Sequence, residues 1–192
     1  NPLYNYIAQR QTLRIIYQSF SAKEPIEYVL CPHLLKEFRN RWFLYGSTAN
    51  NLTLFNLPLD RIVKVEPSDK PYRDNPNFDP ERFHEDVIGV SKNIGDKPKR
   101  VVFWADSNQV GYICTKPLHS SQRIEDENPE EGGCVFSINV VVNFELYSVL
   151  MSYGPGIKVI SPQKVVRHMR NLMSKAHWLY NKEEKIQSKK NK

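Results

Sequence analysis

The sequence predicts an α+β protein with two structured regions: a small β-barrel preceded by a helix, and an α/β sandwich that ends in a helix. The first half holds five short runs of β-branched and aromatic residues, which are typical of a small barrel. The second half alternates strand-like and helix-like segments. With 192 residues, 40% of them apolar and 25% charged, the chain has a globular composition, which excludes a disordered chain, collagen and a coiled-coil rod.

The first half starts with a predicted helix over Pro2–Arg10. Asn1 can cap this helix, and Pro2 fits its first turn. Five strands are predicted after it, at residues 13–18, 26–31, 41–46, 52–57 and 62–66. Pro58 lacks a backbone N–H, so it places the end of the fourth strand at an edge or a bend. Four prolines between residues 67 and 80 indicate a linker and the main domain boundary.

The second half contains predicted strands at residues 100–105, 120–125, 134–142 and 157–160, and helices at 107–116, 144–153 and 161–180. Ser107 and Asn143 can cap the first two of these helices. The first six elements have the β-α-β-β-α-β order of the ferredoxin-like fold. The predicted organisation is a helix and barrel in residues 1–66, a linker in 67–86, a second domain in 87–181 and a disordered Lys-rich tail in 182–192.

The net charge of +6 is unevenly distributed along the chain. It is +3 in residues 1–66, −5 in residues 67–156 and +8 in residues 157–192. In the last helix the apolar stripe is flanked by Lys164, Arg167, Arg170 and Lys175. A basic end fits an acidic partner such as nucleic acid, but an ordinary solvated helix with a frayed tail would have the same pattern.

The sequence contains no motif that predicts catalysis, a cofactor or a metal. It has no Gly-rich phosphate loop and no nucleophile elbow. Cys31 and His33 lack a second pair of metal ligands, and nothing orients His119 toward Cys114. Three widely spaced cysteines do not form a disulfide framework, and no apolar run is long enough to span a membrane. We therefore expect a cytoplasmic, non-catalytic protein, and the start at Asn1 without a methionine indicates a fragment of a longer chain.

The segment Arg39–Tyr45 alternates arginines with aromatic residues. In a strand, Trp42 and Leu44 would face one way, and Arg41, Phe43 and Tyr45 the other. Arginine can pair with phosphate and aromatic rings can stack on bases, so this segment is a candidate nucleic-acid surface. The alternative is that Trp42 and Leu44 fill the barrel and the arginines are simply solvated.

Four segments of the first half resemble the WYL domain. They are Ile15-Ile16-Tyr17, Pro32 with Leu35, Arg41–Gly46 with the triplet Trp42-Phe43-Leu44, and Leu59-Asp60-Arg61-Ile62. The second half resembles the extension that commonly follows such domains, at residues 88–90, 117–122, 153–154 and 159–162. The resemblance implies an Sm-like barrel followed by a ferredoxin-like domain. It also implies a bacterial transcription regulator, often a dimer, with an upstream winged helix-turn-helix that binds duplex DNA.

Within that family the barrel is thought to be the sensor, and some members recognise single-stranded DNA or nucleotide-like ligands. Tyr17 and Arg61 match family positions, whereas Tyr28 and Phe55 stand where many members carry arginine. Either Arg39 and Arg41 substitute for these two cations, or the ligand is less charged. The resulting candidate ligand-binding residues are Tyr17, Tyr28, His33, Arg39, Arg41, Phe43 and Arg61.

These observations predict a ligand-sensing and dimerisation region of a transcription regulator. Ligand binding on the barrel would change the relative pose of the two halves and so alter DNA binding by the upstream domain. The partners expected on this hypothesis are single-stranded nucleic acid or a nucleotide-like effector, duplex DNA and a second copy of the chain. The alternative is a constitutive nucleic-acid-binding module that uses the basic C-terminal helix and tail.

Overall fold

The computed structural model describes residues 2–127 and 129–190, with side chains as far as Lys182. The chain forms two compact units, Asn1–Asp96 and Lys97–Lys192. Each unit combines helices with one antiparallel sheet, so the predicted α+β class is confirmed. No helix in these described residues is long and apolar enough to cross a membrane.

The first unit is a helix followed by a five-stranded antiparallel sheet in the order β4-β3-β2-β1-β5. Its elements are α1 (Pro2–Ala8), β1 (Leu13–Tyr17), β2 (Ile26–Phe38), β3 (Arg41–Thr48), β4 (Leu54–Pro58) and β5 (Ile62–Pro67), with a 3-10 turn at Leu59–Arg61. All five predicted strands are present, and the predicted cap Asn1 lies outside the described residues. Strand β2 runs seven residues beyond its predicted end, because the chain reverses only at Arg39 and Asn40.

The predicted small barrel is not confirmed, because the described strands form a sheet that does not close. Strand β5 pairs with β1, which leaves β4 and β5 as the two edges of an open sheet. Pro58 ends β4 and cannot donate a hydrogen bond to a further strand. The edge position predicted from Pro58 is therefore confirmed.

Both faces of this sheet are covered. Helix α1 lies over one face, where Leu3 packs with Leu13, Ile15 and Leu44. The other face is covered by residues 68–96, which we call the covering segment. Its buried side chains Phe78, Phe83 and Val90 pack on Tyr45 of β3.

The covering segment contains the proline-rich stretch that the sequence predicted to be a linker over residues 67–86. In the structure this stretch lies within the first unit, which continues to Asp96. The prolines keep it out of helix and sheet, yet its aromatic side chains bury apolar surface. Asn75 anchors it, since its side-chain amide donates to the Leu52 carbonyl at 2.9 Å.

The second unit has a four-stranded antiparallel sheet in the order β7-β8-β6-β9. Its elements are β6 (Lys99–Ala105), α2 (Ser107–Thr115), β7 (Arg123–Asp126), β8 (Cys134–Val140), α3 (Phe144–Met151), β9 (Ile157–Ser161) and α4 (Gln163–Lys190). The predicted cap Asn143 is confirmed, because its side chain accepts a hydrogen bond from the Leu146 N–H at 2.8 Å. Helix α2 is capped by Asp106 instead of Ser107. Helix α4 extends ten residues beyond its predicted end at Tyr180, into the segment predicted to be a disordered tail.

Candidate functional site

The seven candidate ligand-binding residues do not form one site. Tyr17 and Tyr28 belong to the core on the α1 face of the sheet. His33 and Phe43 pack on the opposite face, against the covering segment. The remaining three are Arg39, Arg41 and Arg61, which lie in or beside turns. The structure therefore brings Tyr17 and Tyr28 together, on the α1 face of the sheet.

Three aromatic rings lie in contact on the α1 face, and we call Tyr17, Tyr28 and Phe55 the aromatic cluster. The ring centroids of Tyr17 and Tyr28 are 6.2 Å apart in an edge-on arrangement. Those of Tyr28 and Phe55 are 5.0 Å apart. Tyr28 and Phe55 are on β2 and β4, with β3 between them, and Gly46 of β3 is the residue opposite Phe55. Because Gly46 has no side chain, the Phe55 ring can cross β3 toward β2.

Arg61 stacks on a ring that the sequence analysis did not identify. Its guanidinium carbon lies 4.1 Å from the ring centroid of Phe20, which is 79% exposed. The Arg61 carbonyl accepts a hydrogen bond from the Gln18 N–H at 3.0 Å, so Arg61 is fixed beside the end of β1, where Tyr17 lies. The only sequence signal for Phe20 was an aromatic residue in an otherwise polar loop between β1 and β2.

The Nε atom of Arg61 is buried and has no hydrogen-bond partner among the described residues. An unpaired buried donor costs about 1–3 kcal/mol, so an acceptor supplied by a ligand would be favourable here. We define the candidate ligand site as Arg61, Phe20 and the aromatic cluster. It offers one cation and several rings, which suits a planar ligand with one acidic or hydrogen-bond-accepting group.

Arg39 and Arg41 have partners of their own. Arg39 and Asn40 have φ angles of 51° and 61°, which are those of the two-residue turn joining β2 and β3. The Arg39 guanidinium lies over the Phe38 ring, with 5.4 Å to the ring centroid. The Arg41 Nε lies 3.2 Å from the Asp60 carboxylate, in an exposed ion pair. Asp60 therefore offsets much of the charge with which Arg41 was expected to replace a family cation.

The alternative interpretation of the Arg39–Tyr45 segment, in which Trp42 and Leu44 both fill the interior, holds for only one of the two side chains. Leu44 is fully buried, but Trp42 is 51% exposed. Trp42 is the second residue of β3 after the β2–β3 turn and pairs with the exposed Glu37, so it lies near the turn end of the hairpin.

His33 is fixed by hydrogen bonds on the face of the covering segment. The Tyr72 hydroxyl donates to the Pro32 carbonyl at 2.9 Å, so it accepts from His33 Nδ1 at 3.0 Å. His33 Nε2 is then the acceptor for the Ser47 hydroxyl at 2.7 Å. Burial lowers the pKa of His33 below its usual value. A neutral ring with both nitrogens paired attaches the covering segment to the sheet and does not belong to the candidate ligand site.

Phe43 also lies apart from the candidate ligand site, because its side chain packs against the buried cluster of Tyr45, Phe78 and Phe83. A separate cleft of about 370 Å³ lies on this side, lined by Ile7, Arg10, His33, Tyr72, Asp74, Asn75, Phe78 and Pro80. Its charged pair, Arg10 and Asp74, forms an ion pair. Within the described parts of the chain, no three His, Cys, Asp or Glu side chains are grouped so that they could hold a metal ion.

Family models match both units of the chain. The WCX domain matches residues 97–176 and the WYL domain matches residues 1–67. The chain is a WYL–WCX protein. The WYL match ends where the covering segment begins, so the cover of the second sheet face lies beyond the matched WYL domain.

Two solved structures resemble this WYL–WCX chain at low identity. One is proteasome accessory factor B/C (PafBC) of Arthrobacter aurescens, with 15% identity and a TM-score of 0.36 over 93% of this chain and 26% of PafBC. The other is a CRISPR Cas-related protein, with 12% identity and a TM-score of 0.54 over 94% of this chain and 51% of that protein. This chain spans about half or less of the length of either protein. The similarity to the CRISPR Cas-related protein shows a shared fold. No curated protein matches the sequence.

Proposed function

We propose that this chain is the non-catalytic, ligand-sensing region of a transcription regulator, and that the ligand binds at the candidate ligand site. The observation that carries the proposal is Arg61, whose buried Nε lacks a partner and whose guanidinium stacks on the exposed Phe20. Membership among WYL–WCX proteins supports a regulatory role. An effector would act by preferring one of two conformations of the regulator.

The ligand proposed is a single strand of nucleic acid or a nucleotide-like molecule with few charges. The resemblance to WYL domains implies arginines where this chain has Tyr28 and Phe55, and here the two rings contact each other at 5.0 Å. Stacking of a base on an aromatic ring contributes about 1–3 kcal/mol. Arg61 would then supply the one strong contact to a phosphate or another acceptor.

The finer fold assignment and the partners also belong to this proposal. A helix followed by the strand order β4-β3-β2-β1-β5 supports an Sm-like first unit. The β-α-β-β-α-β order with strands β7-β8-β6-β9 supports a ferredoxin-like second unit. An upstream winged helix-turn-helix that reads duplex DNA and a homodimeric assembly complete the regulator on this hypothesis.

Fluorescence anisotropy of a short labelled single strand, beside a duplex of the same sequence, tests the proposal. We expect preference for the single strand, and a loss of at least about tenfold in affinity for Arg61→Ala. Arg14→Ala is the matched control, because Arg14 is an exposed β1 arginine whose Nε lies 3.6 Å from the Glu27 carboxylate. Equal affinities of the two variants would contradict the proposed site, and mass spectrometry of co-purifying molecules would then identify the effector.

Helix α4 favours a second candidate function, the constitutive binding of nucleic acid. Arg167, Arg170 and Lys175 are exposed on this helix and form no ion pair with any side chain that the structure describes. Cations of this kind bind phosphates independently of sequence and with strong salt dependence. Truncation after Tyr180 removes the Lys-rich end of the chain and keeps these three cations, so it should abolish the share of binding that the end contributes and leave the candidate ligand site unchanged.

A further inference from the structure

Strand β4 forms one edge of the first sheet, and its hydrogen-bond register shows which of its backbone groups are used. The Thr48 N–H donates to the Thr53 carbonyl at 3.1 Å, where β3 leaves the sheet. Gly46 lies opposite Phe55 in the same register. Hydrogen-bonded and non-bonded pairs alternate along an antiparallel ladder, so Phe55, two residues from Thr53, is again bonded to β3.

Leu54 and Asn56 occupy the alternate positions, so their N–H and C=O groups point away from β3. No backbone hydrogen bond among the described residues uses these groups on the outer side. Pro58 takes the next outward position, where its missing N–H does not disturb the sheet. The outer edge of β4 therefore presents two donors and two acceptors within three residues.

A half-open cleft of about 320 Å³ runs between this strand and residues 92–94. Its far wall is anchored, because Lys92 Nζ donates to the Phe83 carbonyl at 2.9 Å and to the Asp86 carboxylate at 2.7 Å. Ile94 adds an apolar side chain that is 41% exposed. Lys92 is the one charged residue of the lining, and Asp86 neutralises it.

We propose that this cleft binds an extended, uncharged peptide segment of a partner protein, which adds to β4 as a sixth strand. The four outward backbone groups match the hydrogen bonds of an added strand. The neutralised lining offers no free cation for the phosphates of a nucleic acid. The proposal does not depend on the ligand bound at Arg61.

The wall formed by residues 92–94 favours a single peptide over a second copy of this sheet. A second β4 edge would bring its own residues 92–94 to the same cleft, and the two walls would compete for the space beside the strands. A lone extended segment carries no such wall. The peptide therefore satisfies the outward groups of Leu54 and Asn56 without displacing the anchored Lys92.

The test uses the full chain and a capped, dye-labelled peptide of five alternating valine and threonine residues. The control peptide has the same sequence with every amide N-methylated, so it cannot donate hydrogen bonds to a strand. We expect the unmethylated peptide to bind at least about tenfold more tightly. In NMR hydrogen exchange, the Leu54 and Asn56 amides should exchange quickly in the free protein and slowly with the peptide, while the Phe55 amide stays protected throughout.

Leu54→Pro removes one outward donor and keeps the bonds to β3, so it should weaken peptide binding about fivefold. Leu54→Val keeps the donor and serves as its control. If Leu54→Pro fails to fold, the comparison of the two peptides on the unaltered chain still tests whether an added strand binds to β4. Equal binding of both peptides, or fast exchange at Leu54 and Asn56 with saturating peptide, would overturn the proposal. If both amides exchange slowly without peptide, and analytical ultracentrifugation shows a dimer, the proposal of a peptide partner is overturned. The partner of β4 would then be a second copy of this chain.

Discussion

Residue identity at positions 28, 55 and 61 sets the charge of the candidate ligand site. Arg61 is a cation with an unpaired buried Nε, whereas Tyr28 and Phe55 are contacting rings. Two cations at the ring positions would favour a polyanion, but two rings favour a planar group that can stack. On the proposed function, a change of these two residues would redirect ligand choice without any change in strand order.

His84 makes the stability of the first unit depend on pH. Burial, followed by the charges of Lys36 and Lys92, lowers the pKa of His84 to about 4, although Asp86 opposes the shift. In the unfolded chain the pKa of this side chain returns to about 6.5. Between these two values the unfolded chain binds a proton that the folded chain does not, so stability falls as the pH drops from about 6.5 to about 4.

His84→Phe should remove this part of the pH dependence. The ring contacts with Tyr45 at 4.9 Å and Phe83 at 5.1 Å can be kept, and the buried Nε2 has no described partner to lose. Urea unfolding at pH 7 and pH 5 should show a loss of about 1–2 kcal/mol in the unaltered chain, a figure reduced because the ring is only partly buried. The loss should shrink in the variant. His177→Gln, an exposed change on α4, should leave the loss unchanged, and an unaltered loss in His84→Phe would contradict this assignment.

Local chemistry predicted the cap of α3 correctly but placed the cap of α2 one residue too late, at Ser107 instead of Asp106. Asn143 caps α3 because a side-chain oxygen beside a helix start has few other partners. Trp42 and Arg41 were harder, because their surroundings depend on where the β2–β3 hairpin turns. The Arg39-Asn40 turn, with two positive φ angles, places Arg39 at the tip of the hairpin, in the segment between the two predicted strands.

At the scale of elements, the covering segment stabilises the first unit by burying the second face of its sheet. Phe78 is 7% exposed and packs on Tyr45, with their ring centroids 5.9 Å apart. Phe78→Ala should lower the free energy of unfolding by about 3–5 kcal/mol. Phe20→Ala is the matched control, since Phe20 is largely exposed and its loss should change stability by about 0.5 kcal/mol or less. Equal thermal unfolding of the two variants would show that the segment is a linker after all.

Gly46 allows the strands of the α1 face to pack closely enough for the Phe55 ring to cross β3. A Cβ atom at this position would lie 3.0 Å from the Cys31 carbonyl oxygen and 3.4 Å from the Leu30 Cβ. Gly46→Val should therefore destabilise the chain by about 1–3 kcal/mol, measured by urea unfolding. Gly111→Ala provides a contrast, because nothing lies within 4 Å of its added Cβ and α2 should gain up to about 1 kcal/mol. A neutral Gly46→Val would contradict the packing argument.

The strands and helices could be predicted because each has a local hydrophobic period. Closure of a barrel could not, since it depends on pairing between strands that are distant in the sheet. The covering segment was missed for a related reason: prolines and asparagines are typical of a linker, but burial of Phe78, Phe83 and Val90 depends on the partner face. Apolar residues repeated within a proline-rich stretch are the signal that could have revealed it.

At the scale of the whole molecule, charge separates the two units. Residues 1–96 have no net charge, and residues 97–192 carry the entire +6. Salt-dependent, sequence-independent attraction to nucleic acid is therefore expected from the second unit. The candidate ligand site lies wholly in the neutral first unit, so on the proposed function stacking and one arginine would supply the affinity.

This division leads to a prediction for the isolated first unit, residues 1–96, which include the covering segment. At moderate salt, where the exposed cations of the second unit are screened, the fragment should bind a short single strand with about the affinity of the full chain, because every residue of the candidate ligand site is present. The slope of log affinity against log salt should be about −0.7, the value for about one phosphate contact on a single strand. The full chain should show a steeper slope if the cations of α4 contribute. Anisotropy titrations of both proteins, with Arg61→Ala as the negative control, measure these slopes. Loss of binding in a folded fragment would assign nucleic-acid binding to the second unit and leave Arg61 without a role in it.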